Sequence, residues 1–224
     1  MAYRRTEKVV RRLAARHDAI IAAAREIAAE SGMAAVQIAP VAARAGIAAG
    51  TVYRYFPSKT DMVTALVAAV SEREIAAMRR AADAAPGPLS ALAAAIATFA
   101  ARALKRRRLA WAVLAEPVDA DVGPVRIAYR KALVAEIEAR LTAALRTQHL
   151  PDQDVALSGP AVVGALIEGL VGPLAPDALG EAASGREAAQ TLTLLALRAV
   201  GVIDARARGL VVQTPLPLTD EAAA

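Results

Sequence analysis

Residues 45–59, "AGIAAGTVYRYFPSK", gather most of the side chains in this chain that could do recognition chemistry at close range. Thr51, Tyr53 and Arg54 carry hydroxyl or guanidinium donors that reach phosphate oxygens or base edges. Ala48, Ala49 and Gly50 are small and let a backbone come close to a bulky partner. Lys59 stands at the expected start of a long helix, where a cation and free N–H groups together favour a phosphate. Elsewhere reactive residue types are sparse. There is no cysteine, and His17 and His149 are far apart, each reading as a surface or packing residue. The chain has no His-Glu-x-x-His metal helix, no phosphate-loop pattern and no histidine–carboxylate cluster. These absences argue against an enzyme, a bound metal or a cofactor. The available chemistry is that of gripping a polyanion.

Charge agrees with that reading. Residues 1–60 hold ten Lys/Arg against four Asp/Glu, a net +6, while the other residues hold 17 against 18 and come to −1. A cationic segment is thus joined to an electrically neutral body, the asymmetry expected of a polyanion-facing end. Arg4, Arg5, Arg11 and Arg12 form an arginine-rich N-terminal arm. The opening residues lack the apolar core of a signal peptide, and apolar runs are broken before the ~20 residues of a membrane span. With cysteine absent, a cytoplasmic protein without a membrane partner is the expectation.

The elements that must position these residues are helices. Alanine, the strongest helix former, dominates a chain that is 56% hydrophobic and 3% aromatic, and strand signals are weak. Periodicity and breakers predict an all-α protein of about nine helices, three short ones leading. Apolar spacing at Ile20, Ala24, Ile27 and Ala28 predicts a helix over 16–31, closed by Gly32. Short helices follow at 38–45 and 49–55, with Gly46 turning between them and Pro57 stopping the second. This is a helix-turn-helix, whose second helix has the width of a DNA major groove. Ser58 and Asp61 read as a capping box opening a long helix at 59–84. Further helices are expected at 89–107, 124–147, 154–173 and 186–206, the last opened by a capping box at Ser184 and Glu187. A short apolar segment spans 109–119, and the proline-broken 209–218 reads as tail. The domain expectation is a DNA-binding head over 1–58, a helical body over 59–210 and a tail over 211–224.

The stretch "VAARAGIAAGTVYRYFPSK" (41–59), with "IIAAAREIAAESG" (20–32) more loosely, resembles the tetracycline-repressor (TetR) family of transcriptional regulators. The resemblance covers about a fifth of the chain and rests on Ala45-Gly46, Gly50-Thr51, Tyr53, Tyr55-Phe56 and Lys59 together. It implies that Thr51, Tyr53 and Lys59 hold the DNA backbone and that Ala49, Gly50 and Arg54 face or flank bases. It also implies that Val52 and Phe56 pack inward; Tyr55 reads as a core residue beside them, and Gln37 and Arg44 are added to the candidate DNA contacts, with a solvated helix residue as the other reading of Arg44. Gln37 and Ala48 depart from the pattern, standing where the family usually has hydroxyl caps. The resemblance further implies a homodimer through the last two long helices, a palindromic double-stranded operator and a small-molecule effector. In the aromatic-poor body, Phe99, Trp111, Glu116, Arg126, Tyr129 and Arg130 are the candidate effector residues. For Glu116, an ion pair with an arginine of the next helix is the preferred alternative. The function implied is a repressor released by its effector. A helical ligand-binding or scaffolding protein with a degenerate head is the other reading, for which the missing caps are the argument.

Overall fold

No glycine or proline interrupts the first 31 residues, and alanine and arginine fill them. Nothing there stops a helix once it is nucleated. In the computed structural model of the chain, which describes residues 2–176 and 182–217, α1 accordingly runs Ala2–Ser31. The expected helix at 16–31 is therefore the second half of a longer one, and the basic arm is helical rather than a loose tail. That second half is packed through Ile20, Ala24, Ile27 and Ala28. Residues 7–15 are exposed, and the side chains of residues 1–6, Arg4 and Arg5 among them, lie outside the described residues.

Nine further helices follow: α2 Ile38–Arg44, α3 Ala49–Tyr53, α4 Lys59–Asp83, α5 Pro88–Lys105, α6 Arg107–Leu114, α7 Gly123–Arg146, α8 Val155–Leu170, α9 Ala182–Ala199 and α10 Asp204–Gln213. Two 3-10 turns, Met33–Ala35 and Ala120–Val122, lie between them, and the described residues contain no strand. The fold is all-α, as expected, with ten α-helices among the described residues where about nine were foreseen.

Helix α5 is the axis of the body. By length and composition it could cross a membrane, but 78% of it is buried by its neighbours α4, α7 and α9. It is a core helix. Buried Glu136 of α7 braces α4: its carboxylate accepts from Arg79 Nε at 2.9 Å and from Arg140 Nε and Nη2 at 2.8 and 2.6 Å. Arg140 also reaches Asp83 at 3.0 Å, so the buried charge is fully partnered, the condition under which such a group is tolerated.

Two expectations near the C-terminus are corrected. Helix α9 begins at Ala182, so Ser184 lies inside it and cannot cap it; its side chain is outside the described residues. Gly201, at φ +93°, ends that helix and lets the chain restart as α10, which buries Ala207, Leu210 and Val211. The expected tail from 211 therefore begins as the last turn of a helix, and 218–224 lie outside the described residues.

Candidate nucleic-acid interface

The head assembles from the apolar faces of α1, α2 and α3. Ile38, Val41, Ala42, Val52 and Phe56 are buried, with Tyr55 half-buried beside them. The His17 ring packs on Phe56 at a centroid distance of 5.0 Å, so this histidine is a packing residue. The turn after α2 closes through Gly46 N–H to Ala43 O (3.1 Å) and Ile47 N–H to Ala42 O (3.0 Å). Gly46 sits at φ +66°, where a side chain is strained, although a Cβ there would meet nothing. Gln37 and Ala48 occupy the N-cap positions of α2 and α3, and neither side chain caps. Gln37 instead donates from Nε2 to Ala34 O at 3.0 Å.

Packing in this way leaves one face of the head bare. Ala48, Ala49, Gly50, Tyr53 and Arg54 are exposed, Tyr53 to 53%, and Thr51 is half-buried. Among the described residues the side chains of Tyr53, Arg54 and Lys59 make no hydrogen bond or ion pair. Gly50 lies in ordinary helical conformation, and a Cβ added to it would touch nothing. Neither conformation nor internal packing therefore requires glycine there. Next to this face the capping box forms as expected: Ser58 Oγ accepts from Asp61 N–H at 3.0 Å, and Asp61 Oδ2 accepts from Ser58 N–H at 3.0 Å. It places Lys59 at the first position of α4.

Arg44 differs from the expectation. Its guanidinium forms a bidentate pair with Glu30 (2.9 and 2.7 Å) and reaches Glu26 at 3.4 Å. The hydrogen bond from Arg44 holds the Glu30 carboxyl below its ordinary pKa. The side chain thus ties α2 to α1 instead of standing free toward a ligand. Glu26 and Glu30, four apart on one face of α1, were the available signal of this pairing.

The six candidate effector residues lie in different settings. Phe99 of α5 and Tyr129 of α7 are buried in the body, and burial pushes the Tyr129 phenol pKa up. Trp111 is half-buried on α6. Glu116, just beyond α6, makes no ion pair with the arginines of α7. Its carboxylate accepts backbone N–H groups of the head, Met33 at 2.8 Å and Ala34 at 3.3 Å. Arg126 instead donates to the carbonyls of Ala112 and Glu116, and Arg130 to that of Leu114 at 2.6 Å. The reason is local: α6 ends there, its last carbonyls lack helical partners, and arginines at the start of α7 supply them. Burial of the Arg126 guanidinium lowers its pKa, and its Nε has no partner.

In the body, α8 and α9 expose an apolar strip. Leu157 is 71% and Leu195 53% exposed, and a cleft of about 200 Å³ between the helices is lined by Ala161, Ala165, Leu192 and Leu195. The helices approach closely where Gly169 faces Leu192, whose Cδ2 lies 3.2 Å from where a Cβ would be.

Comparison with known proteins bears on the head most directly. The family described as bacterial regulatory proteins, tetR family, matches residues 20–66. The HTH-type transcriptional repressor KstR of Mycolicibacterium smegmatis is 42% identical over 77 residues, which are 34% of this chain and 38% of the relative. The KstR of Rhodococcus jostii is 43% identical over 58 residues, 26% of this chain and 27% of the relative. The chain thus aligns with well under half the length of these curated relatives. Over the whole fold it is similar to RolR in complex with resorcinol, at TM-score 0.65 and 24% identity, covering 93% of this chain and 98% of that one. The regulator FadR of Bacillus subtilis, in complex with stearoyl-CoA, superposes at TM-score 0.68 and 21% identity, covering 83% and 98%. Residues 20–66 thus match the tetR family of bacterial regulatory proteins in sequence, and the helical architecture of the whole chain matches RolR and FadR in fold.

Proposed function

We propose that this protein is a homodimeric, non-enzymatic repressor of the cytoplasm that binds a palindromic operator and leaves it when a small molecule enters its body. Residues 1–58 are the reading head and 59–210 the effector and dimerisation body. The observation that carries the reading is the bare face of the head. Tyr53, Arg54 and Lys59 stand free of internal partners around a glycine that the fold does not need. In this arrangement Thr51, Tyr53 and Lys59 hold phosphates, Ala49 and Gly50 allow close approach, and Arg54 reaches base edges. Gln37 flanks them, and Arg44 stiffens the head from behind. The exposed strip of α8 and α9 supports a dimer through those helices, which would set two heads about one DNA turn (~34 Å) apart.

For the effector, the inner faces of α4, α5 and α7 are favoured over the Glu116 region. Thr98 and Tyr129 are buried residues whose hydroxyls make no hydrogen bond among the described residues, and they would orient a ligand there. Relatives in the fold were solved with resorcinol and with stearoyl-CoA, which supports a ligand-responsive body without naming this one's ligand.

The test is binding to duplex DNA from upstream of the protein's own coding region, measured across a salt series. Wild type should bind, and Lys59→Ala should weaken all sequences alike and lower the salt slope by about one. A protein that binds no fragment at low salt is the degenerate-head alternative instead.

A further inference from the structure

The head and body meet at a polar joint as well as through packing. Helix α6 lies along α1, and just past its end the Glu116 carboxylate reaches the backbone N–H groups of Met33 and Ala34, 83 and 82 residues away in sequence. Those N–H groups belong to the 3-10 turn that leads from α1 into α2, the first helix of the helix-turn-helix. The approach is close. Gly32, at φ +83°, precedes the turn, and a Cβ on it would sit 3.0 and 3.2 Å from the two carboxylate oxygens. From the other side Arg126 of α7 holds the same short segment by the carbonyls of Glu116 and Ala112. One residue therefore has its carboxylate on the head and its carbonyl on the body.

We propose that Glu116 is the positioning residue that fixes the angle of the head on the body, and that Arg126 ties that angle to α7. The inference rests on the reading of the head as DNA-binding and adds the route by which the body controls it. A carboxylate that takes two amide hydrogens from one turn fixes both its place and its orientation, which a single hydrogen bond or an apolar contact does not. Arg126 extends the joint inward, because α7 also carries Tyr129 into the core and is braced to α4 through Glu136. A ligand that moves the first turns of α7 draws Arg126 from the carbonyls, loosens Glu116 and releases the head from the orientation that fits DNA.

The experiment has two arms on the full chain. In the first, without DNA, amide hydrogen exchange at Met33 and Ala34 is followed by NMR in wild type and Glu116→Gln. The neutral side chain keeps the length but offers one acceptor where there were two, so exchange at these amides should quicken about tenfold or more while α2 and α3 stay protected. Unchanged exchange overturns the joint, and so does loss of protection throughout α1–α3, which would mark Glu116 as a folding residue. In the second arm, DNA affinity is measured for Glu116→Gln, Arg126→Gln and the double variant. Each single change should weaken binding about tenfold, and the double variant should be no weaker than the worse single one. The salt slope should match wild type, because no phosphate contact is lost. Additive losses or a lowered slope would overturn the assignment. The exchange arm needs no DNA, so a wild type that fails to bind DNA defeats the functional reading and leaves the joint separately tested.

Discussion

Gly50→Ala separates what the fold needs from what DNA needs. Gly50 is the second residue of α3, and a methyl group there would meet nothing within 4 Å beyond its chain neighbours and its own helix backbone. In the free protein the change removes glycine's excess conformational entropy and stabilises the helix by about 0.5–1 kcal/mol. For a chain of this size that raises Tm by roughly 1–4 °C. On DNA the sign reverses. If α3 enters the groove with its first turn foremost, the added methyl meets the duplex where the surfaces should already be in contact. Overpacking a well-fitted interface costs about 1–3 kcal/mol, which is roughly 5- to 150-fold in Kd.

The assay pairs thermal unfolding with DNA titration on the same preparations, with Gly46→Ala as the contrast. Gly46 also has empty space where a Cβ would go, but its φ of +66° is one that alanine resists by about 1–2 kcal/mol. Gly46→Ala should therefore lower Tm by several degrees, where Gly50→Ala raises it. A Gly50→Ala protein that is more stable and binds DNA as tightly as wild type would refute the argument that the bare start of α3 exists for close approach.

Three further outcomes follow from the geometry. Arg44→Met should lower the unfolding temperature of the protein near neutral pH. Because the Arg44 hydrogen bond depresses the Glu30 pKa, this contribution is complete above the ordinary carboxylate range and fades as pH falls through the lowered value. Unfolding curves of the two proteins should accordingly converge in acid, and a gap that persists there would remove the pair as its cause. Leu195→Glu sets a charge in the exposed strip between α8 and α9. It should turn a dimer into a monomer in sedimentation and weaken operator binding, with little change in helix content by circular dichroism. Phe99→Ala removes a buried ring from α5 and should cost about 3–5 kcal/mol, read as a lower midpoint in urea.

The head was legible in the sequence because its features are local. A glycine that turns the chain, a proline that stops it and a Ser58–Asp61 box that restarts it each act within a few residues, and each appears in place. The bare face of the head draws on residues that lie within one short stretch, which is why they could be singled out together. The body was legible only as helices. Alanine favours helix everywhere and marks no boundary, so α1 ran on through the basic arm and α9 began before its expected cap. The break before α10 depended on Gly201 adopting positive φ, which its spacing alone does not announce. Glu116 was singled out for being a carboxylate in an apolar setting, and its use could not be seen. No pattern in sequence connects it to amides 82 and 83 residues earlier.

That distance bears on how the protein could transmit a signal. The core of α5 is built chiefly of alanine, with Leu89, Leu92, Ile96, Phe99 and Leu104 as its large side chains. Small side chains have few rotamers, so such a core offers little that can switch between alternative packings, although whole helices can still slide. Hydrogen-bonded joints behave differently. They hold while every partner is in place and open when one is withdrawn, because a half-made set leaves polar groups without compensation. In this chain the joint between head and body combines α1 packed on α6 with Glu116 clasping the turn before α2. Side chains of α7 grip the carbonyls at the end of α6, where Arg126 already keeps one buried N–H unmatched. A ligand among the inner faces of α4, α5 and α7 that shifted the first turns of α7 would withdraw Arg126 from those carbonyls and open the joint at the point where the body grips it.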